Sequence, residues 1–221
     1  MTATADSFVH QYLPAPRGGD AVTFLLLHGT GGNEHDLLHV GPMLDEGAGM
    51  LAPRGKVLEN GQPRFFRRFA EGVFDLDDLH ARAYELADWV RTAADLYRFA
   101  RNRVVAVGYS NGANMAASLL LLEPGLLAGA VLFRARLPFA PERPPRLRGV
   151  AVFIGAGRSD ETMTPEPPEQ LAELLRHAGA DVTLHWDNAG HALDRREFAA
   201  ARSWLQRRHL ARGLKVHDPP L

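Results

Sequence analysis

Ser110 sits in Gly108-Tyr109-Ser110-Asn111-Gly112, a Gly-x-Ser-x-Gly pentapeptide. That spacing suits a nucleophile. A serine on a sharp strand-to-helix turn projects its oxygen into a cleft, and flanking glycines remove the Cβ atoms that would collide where the chain doubles back. A serine hydroxyl is a poor nucleophile at neutral pH. The chemistry therefore needs a base to take its proton and a third group to orient that base. For a nucleophile built on such a turn, the chain order is serine, acid, histidine. The plainer reading, a glycine-rich structural turn, needs no partners at all.

Five histidines follow Ser110. His177 falls on a predicted helix and His185 inside a predicted strand, while His209 and His217 lie at the C-terminal end. His191 alone lies in a loop, Asn188-Ala189-Gly190-His191-Ala192, just past a predicted strand. Reactive groups of open α/β sheets gather at the carboxyl ends of strands, which makes His191 the expected base. Asp160, in the loop after the predicted strand 150–155, is the expected acid. Glu161 is the fallback, and Asp187 belongs to the histidine's own loop. The plainer readings are a surface-loop histidine and a turn-capping aspartate before Pro165.

A tetrahedral intermediate needs preorganised donors for its oxyanion. The backbone N–H of Asn111 is one candidate, and the N–H of Thr30, in the glycine-rich loop after Leu25-Leu26-Leu27, is the second. That loop lacks a following lysine and the Gly-x-Gly-x-x-Gly spacing of phosphate-binding loops. His28 reads as a structural hydrogen-bonder that shapes it. His35 and His39 fall four apart on a predicted helix, but Asp36-Leu37-Leu38 between them lacks the glutamate of a zinc-protease helix, so no metal is expected.

The elements that must position these groups alternate. Strands are predicted at 8–12, 22–27, 48–52, 103–107, 129–134, 150–155 and 181–186, and helices at 34–44, 78–100, 111–122, 166–178 and 194–210. This pattern implies a mostly parallel sheet of about seven strands with helices on both faces. The first two strands, joined by the turn-rich Pro14–Asp20, are expected to pair antiparallel at one edge. Residues 53–77 show no clear periodicity and read as a long functional loop. Residues 137–149 carry four prolines and read as an irregular crossover. Neither is large enough for a lid domain, so an open site is expected. Phe65, Phe66, Phe69 and Phe74 are expected to wall a pocket, with Arg64, Arg67 and Arg68 nearby. Either an arginine engages an acidic or phenolic substrate group, or the arginines pair with Glu71, Asp75 and Asp77 to pin the loop. We favour the second.

At 221 residues the chain is long enough for one domain, 1–221, with a well-buried core. A hydrophobic content of 46% and a charged content of 23% describe an ordinary globule, and a net charge of −1 gives no basic surplus for nucleic acid or an anionic membrane. With no cysteine, disulfides, thiolate metal sites and a cysteine nucleophile are excluded. The first residues show no basic region followed by an apolar stretch, so a cytoplasmic location is expected. Residues 116–133 are apolar but broken at Glu123-Pro124-Gly125, and the pieces are too short to span ~30 Å of hydrocarbon.

The chain resembles the phospholipase/carboxylesterase group of α/β-hydrolases, which includes the acyl-protein thioesterases. The resemblance rests on Leu27-His28-Gly29-x-Gly-Gly, Pro53-Arg54-Gly55, Gly108–Gly112, the Asp160 loop and Gly190-His191. Arg64-Phe65-Phe66-Arg67-Arg68 followed by Glu71-Gly72-Val73-Phe74-Asp75 is similar to a bacterial subgroup, some of whose members accompany hydroquinone or catechol stress genes. The resemblance implies a compact sandwich without a lid and a Ser110–Asp160–His191 triad. It also implies cofactor-free hydrolysis of esters or thioesters, and often a homodimer. Asn111 stands where the thioesterases have glutamine, Ala113 where they have a second glycine, and Glu161 where the family often has proline. Within this group the expected activity is that of a serine carboxylesterase acting on short-chain or aromatic acyl esters, with Phe65, Phe66 and Arg67 binding substrate. A thioesterase or lysophospholipase, and a catalytically silent protein binding a small aromatic ligand, are the alternatives.

Overall fold

Apolar runs become strands and amphipathic runs become helices between them in the computed structural model, which describes residues 8–208 apart from 17, 19 and 20. In chain order the first half holds β1 (His10–Leu13), β2 (Thr23–Leu27), α1 (Val40–Leu44), β3 (Gly49–Pro53), β4 (Val57–Glu59), β5 (Gln62–Arg64), β6 (Arg68–Ala70), β7 (Val73–Phe74) and α2 (Leu76–Tyr97). The second half holds β8 (Val104–Tyr109), α3 (Asn111–Leu122), β9 (Gly129–Phe133), β10 (Ala151–Gly157), α4 (Glu166–His177), β11 (Asp181–Asp187) and α5 (Arg195–Arg207). His209, His217 and the last two residues of the helix expected at 194–210 lie outside the described residues.

Seven strands form one sheet in the order β1-β3-β2-β8-β9-β10-β11, parallel except for β1. Side chains of successive residues face opposite ways, so each central strand feeds two cores. Leu25, Leu27, Val104 and Ala106 face a core completed by Trp89 and Val90 of α2, Met115 and Leu119 of α3, and Leu171 and Leu175 of α4. Phe24, Leu26, Val105 and Val107 face a second core with Val40 and Leu44 of α1 and Phe198 and Trp204 of α5. This is the α/β-hydrolase architecture. No helix among the described residues is long and apolar enough to cross a membrane.

Three expectations need correction. The antiparallel edge pair forms between β1 and β3, with His10 opposite Pro53 and Leu13 opposite Met50, and not between β1 and β2. β2 is buried along its whole length and takes β3 and β8 as parallel neighbours on its two sides, so the half-buried β1 is left the outer edge of β3. Second, only Val40–Leu44 of the helix expected at 34–44 is helical. Before it, Asp36, Leu38 and Val40 donate their N–H to carbonyls three residues back, and Asn33 Oδ1 accepts from His35 N at 2.8 Å, which makes tight turns instead. His35 and His39 are therefore not stacked on one helix face. Third, the loop expected at 53–77 contains two hairpins, β4–β5 and β6–β7. The crossover at 137–149 is irregular, as its prolines require.

Candidate active site

Ser110 lies at the junction of β8 and α3 with φ +51°, a backbone conformation that side chains other than glycine seldom adopt. Its N–H donates to the Phe133 carbonyl at 2.9 Å, which fixes the turn against β9. A Cβ on Gly108 would lie 2.6 Å from Ala113 Cα, and one on Gly112 would strike the Leu27 carbonyl. Both glycines are thus demanded by close approach. The glycines let helix α3 begin directly behind the serine, with the orphan N–H groups of its first turn turned toward the site.

His191 follows β11, and Asp160 follows β10. The His191 Nε2 is 3.1 Å from Ser110 Oγ, and its Nδ1 is 2.9 Å from Asp160 Oδ2. The structure thus joins serine, histidine and aspartate in one hydrogen-bonded line. Glu161 and Asp187 are not in it. Asp160 accepts on its other oxygen from Thr162 Oγ1 at 2.7 Å and Thr162 N at 2.9 Å. Burial would push the Asp160 carboxyl up, but the hydrogen bonds from Thr162 and His191 outweigh it and hold the group below its usual value. The site keeps its acid ionised. Tyr109 donates from its hydroxyl to the His191 carbonyl at 3.2 Å, with ring centres 5.4 Å apart.

Arg134 is a residue beside this line that the sequence did not point to. Its side chain is fully buried, its φ is +59°, and it lies directly after β9. Nε donates to the Gly190 carbonyl at 2.8 Å and Nη2 to the Ala192 carbonyl at 3.1 Å, so the guanidinium grips the backbone on both sides of His191. The remaining donors reach Gly155 O and both oxygens of Glu197 in α5, and Nε lies 3.9 Å from Asp160 Oδ2. Thr162, another residue missed, touches both acid and base, with its Oγ1 2.7 Å from Asp160 Oδ1 and 3.0 Å from His191 Nδ1. The only sequence signal for Arg134 is a charged residue closing the apolar run Gly129–Phe133.

The loop after β2 faces the serine. Gly31 N donates to Pro63 O at 2.9 Å and Gly32 N to Gly29 O at 3.1 Å, so those two amides are committed. Thr30 lines the same cavity as Ser110 and Asn111. His28 is buried; its Nδ1 donates to Gly29 O at 2.6 Å and its Nε2 accepts from Gly55 N at 2.9 Å. That pattern needs a neutral ring, and burial lowers the His28 pKa accordingly. His28 therefore ties the loop to Pro53-Arg54-Gly55. Asn111 Oδ1 accepts from Phe65 N at 2.8 Å, which ties the hairpin segment to the start of α3.

The cavity at Ser110 has a volume of about 290 Å³. Gln62, Arg64, Arg68, Glu71 and Phe74 form its wall on the hairpin side. The expectation that Phe65, Phe66 and Arg67 bind substrate meets a different placement. Phe65 and Phe66 are buried in the core, where neighbours on the α2 side of the sheet absorb their apolar area. Arg67 turns away to Asp75 at 2.9 Å and to Asp78. Phe69 is 76% exposed, and Phe74 alone of the four aromatics lines the cavity. The loop-pinning arginine pairs form, with Asp78 in the place expected of Asp77.

The sequence model of the phospholipase/carboxylesterase family matches residues 77–209, more than half of the chain. MhqD of Bacillus subtilis (strain 168), a hydrolase by name, is 49% identical over 190 residues, 86% of this chain and 95% of that protein. The crystal structure of the Bacillus cereus carboxylesterase superposes with a TM-score of 0.89 at 45% identity, covering 91% of this chain and 95% of that one. A carboxylesterase from Mesorhizobium loti superposes with a TM-score of 0.85 at 30% identity, covering 93% and 97%. The fold, the family match and these relatives agree: the chain belongs to the phospholipase/carboxylesterase family and is an esterase-type hydrolase.

Proposed function

We propose that the protein is a serine carboxylesterase that hydrolyses small esters through Ser110, His191 and Asp160. The single observation that carries this reading is the continuous line Ser110 Oγ–His191 Nε2, His191 Nδ1–Asp160 Oδ2, at 3.1 and 2.9 Å. Ser110 Oγ attacks the ester carbonyl while His191 Nε2 takes its proton, and Asp160 orients the ring and offsets the imidazolium charge. The N–H groups of Thr30 and Asn111 receive the oxyanion. Their role is supported by the commitment of Gly31 and Gly32 elsewhere and by the place of Asn111 in the first turn of α3. Collapse of the intermediate expels the alcohol, which takes the proton from His191 and leaves an acyl-serine. Water, deprotonated by His191, attacks that ester and releases the acid and the free serine.

A cavity of about 290 Å³ with a polar wall favours short acyl groups over long lipid chains. A small-molecule ester is the proposed partner. The experiment is hydrolysis of p-nitrophenyl acetate and butyrate by the wild type and by Ser110→Ala. Loss of the nucleophile in a comparable serine hydrolase lowers turnover on the order of 10⁶. Activity confined to the wild type is the expected result. Equal rates in both proteins would overturn the proposal.

A further inference from the structure

Arg64, Arg68 and Glu71 line the cavity that holds Ser110, yet the hydrolysis just described uses none of them. Arg64 is almost wholly buried, donating to Thr30 Oγ1 at 2.7 Å and to Phe66 O at 3.3 Å. Arg68 forks onto Glu59 through Nε at 3.1 Å and Nη2 at 2.7 Å, and its free Nη1 goes to Glu71. Arg136 donates from Nη2 to the Thr162 carbonyl at 3.0 Å and to Glu71 Oε1 at 3.4 Å. Three guanidiniums thus meet two carboxylates, which leaves one positive charge in surplus within this cluster at the wall of the Ser110 cavity.

The two carboxylates are held differently. Glu59 is gripped by both arms of Arg68, and those hydrogen bonds hold its carboxyl below the usual range. Glu71 stands at the turn between β6 and β7 with its side chain 59% exposed. Its contacts are ion pairs at the cavity mouth, a kind that holds weakly and is screened by salt. Two N–H donors from separate parts of the chain, Arg68 Nη1 of β6 and Arg136 Nη2 of the segment after β9, therefore converge on a carboxylate that is easily displaced. Guanidinium donors of this kind match a carboxylate in charge and geometry.

We propose that Glu71 holds the place of a substrate carboxylate, and that the site takes esters whose acyl part ends in a carboxylate, such as half-esters of small dicarboxylic acids. The incoming carboxylate displaces Glu71 from Arg68 and Arg136. This inference rests on the Ser110 reading above and names its substrate class.

The test compares monoethyl glutarate with ethyl valerate, which have acyl chains of equal length, by pH-stat titration. The quantity read is the ratio of their kcat/KM values. The wild type favours the half-ester at least tenfold, and added sodium chloride erodes that preference. Glu71→Gln raises the ratio several-fold through a lower KM for the half-ester. Arg68→Met brings the ratio toward one. Because Glu71 is an exposed side chain, Glu71→Gln is informative even where Arg68→Met fails to fold. Ethyl valerate turned over as well as the half-ester, with a ratio indifferent to salt and to both substitutions, would overturn this inference and leave the serine reading standing. Failure on both esters, with p-nitrophenyl acetate also untouched, would overturn the two together.

Discussion

That Ser110, His191 and Asp160 meet in one hydrogen-bonded line was readable from the sequence because each follows a strand, and the carboxyl ends of parallel strands converge. The residues that hold them were not. Arg134 carries no periodic signature, since a buried charge is defined by partners far along the chain. Its partners here lie 21 to 63 residues away. The aromatics misled for a related reason. Phe65-Phe66 reads the same whether it walls a pocket or fills a core, and only the packing under the hairpins decides. A prediction belongs to Arg134. Arg134→Met removes a guanidinium that grips both carbonyls flanking His191, and it strands the buried Glu197. Breaking a buried pair from one side costs about 3–5 kcal/mol. Urea denaturation of Arg134→Met is expected to show a loss of that order, and adding Glu197→Gln is expected to return part of it. The turnover of p-nitrophenyl acetate by the double variant stays on the order of 10²-fold below wild type, because a small misplacement of a base carries a penalty of that size. Full turnover in a folded double variant would show that Arg134 does not position the histidine.

The helices and sheet strands were legible wherever a long run kept one period, and α3 falls at the bounds its sequence suggests, 111–122. The short elements were lost. β4 and β5 have three residues each, too few for alternation to show. Their signal was the turn itself. Asn60 and Gly61 both have positive φ, 53° and 79°, as the tight turn of a two-residue hairpin requires, and Asn-Gly is its commonest sequence. The edge pairing failed for a different reason. Sequence adjacency favours neighbouring strands, but β2 already has two parallel neighbours, and burial settled the matter. Element packing carries the next prediction. Gly112→Ala sets a methyl group against the Leu27 and His28 carbonyls and pushes α3 away from β2. Backbone atoms cannot yield as a flexible side chain would, so overpacking at the upper end of about 1–3 kcal/mol or more is expected. Gly125→Ala is the control, because nothing lies within 4 Å of its Cβ and the penalty there comes from its positive φ of 98° alone. A thermal melt of the two variants is expected to place Gly112→Ala clearly lower.

At the scale of the whole molecule, stability and the site share one buttress. The loop after β2 carries Thr30, and it is tied to the segment after β3 by His28 on one side and by Glu34 on the other. Glu34 is buried and receives Arg54 through Nε at 2.5 Å and Nη2 at 2.7 Å. That fork lowers the Glu34 carboxyl from 4.5 to about 2 in the folded protein. In the unfolded chain Glu34 regains its ordinary value. Between those two values the unfolded state therefore binds the extra proton, and stability rises with pH. The contribution is complete above pH 4.5 and is lost as the pH falls toward 2. With Arg54 41% exposed, solvent screening reduces it to about 1–2 kcal/mol at neutral pH. Asp160 and Glu59, both held low, add to the same acid limb with the same sign. Glu34→Gln keeps the shape of the side chain and removes its charge. The unfolding free energy from urea titration at pH 7 is expected to fall below wild type by about that amount, and the gap is expected to narrow as the pH is lowered toward 3. A gap that stays constant across that range would assign the loss to packing, and the loop that presents Thr30 would then be held by His28 and its neutral ring.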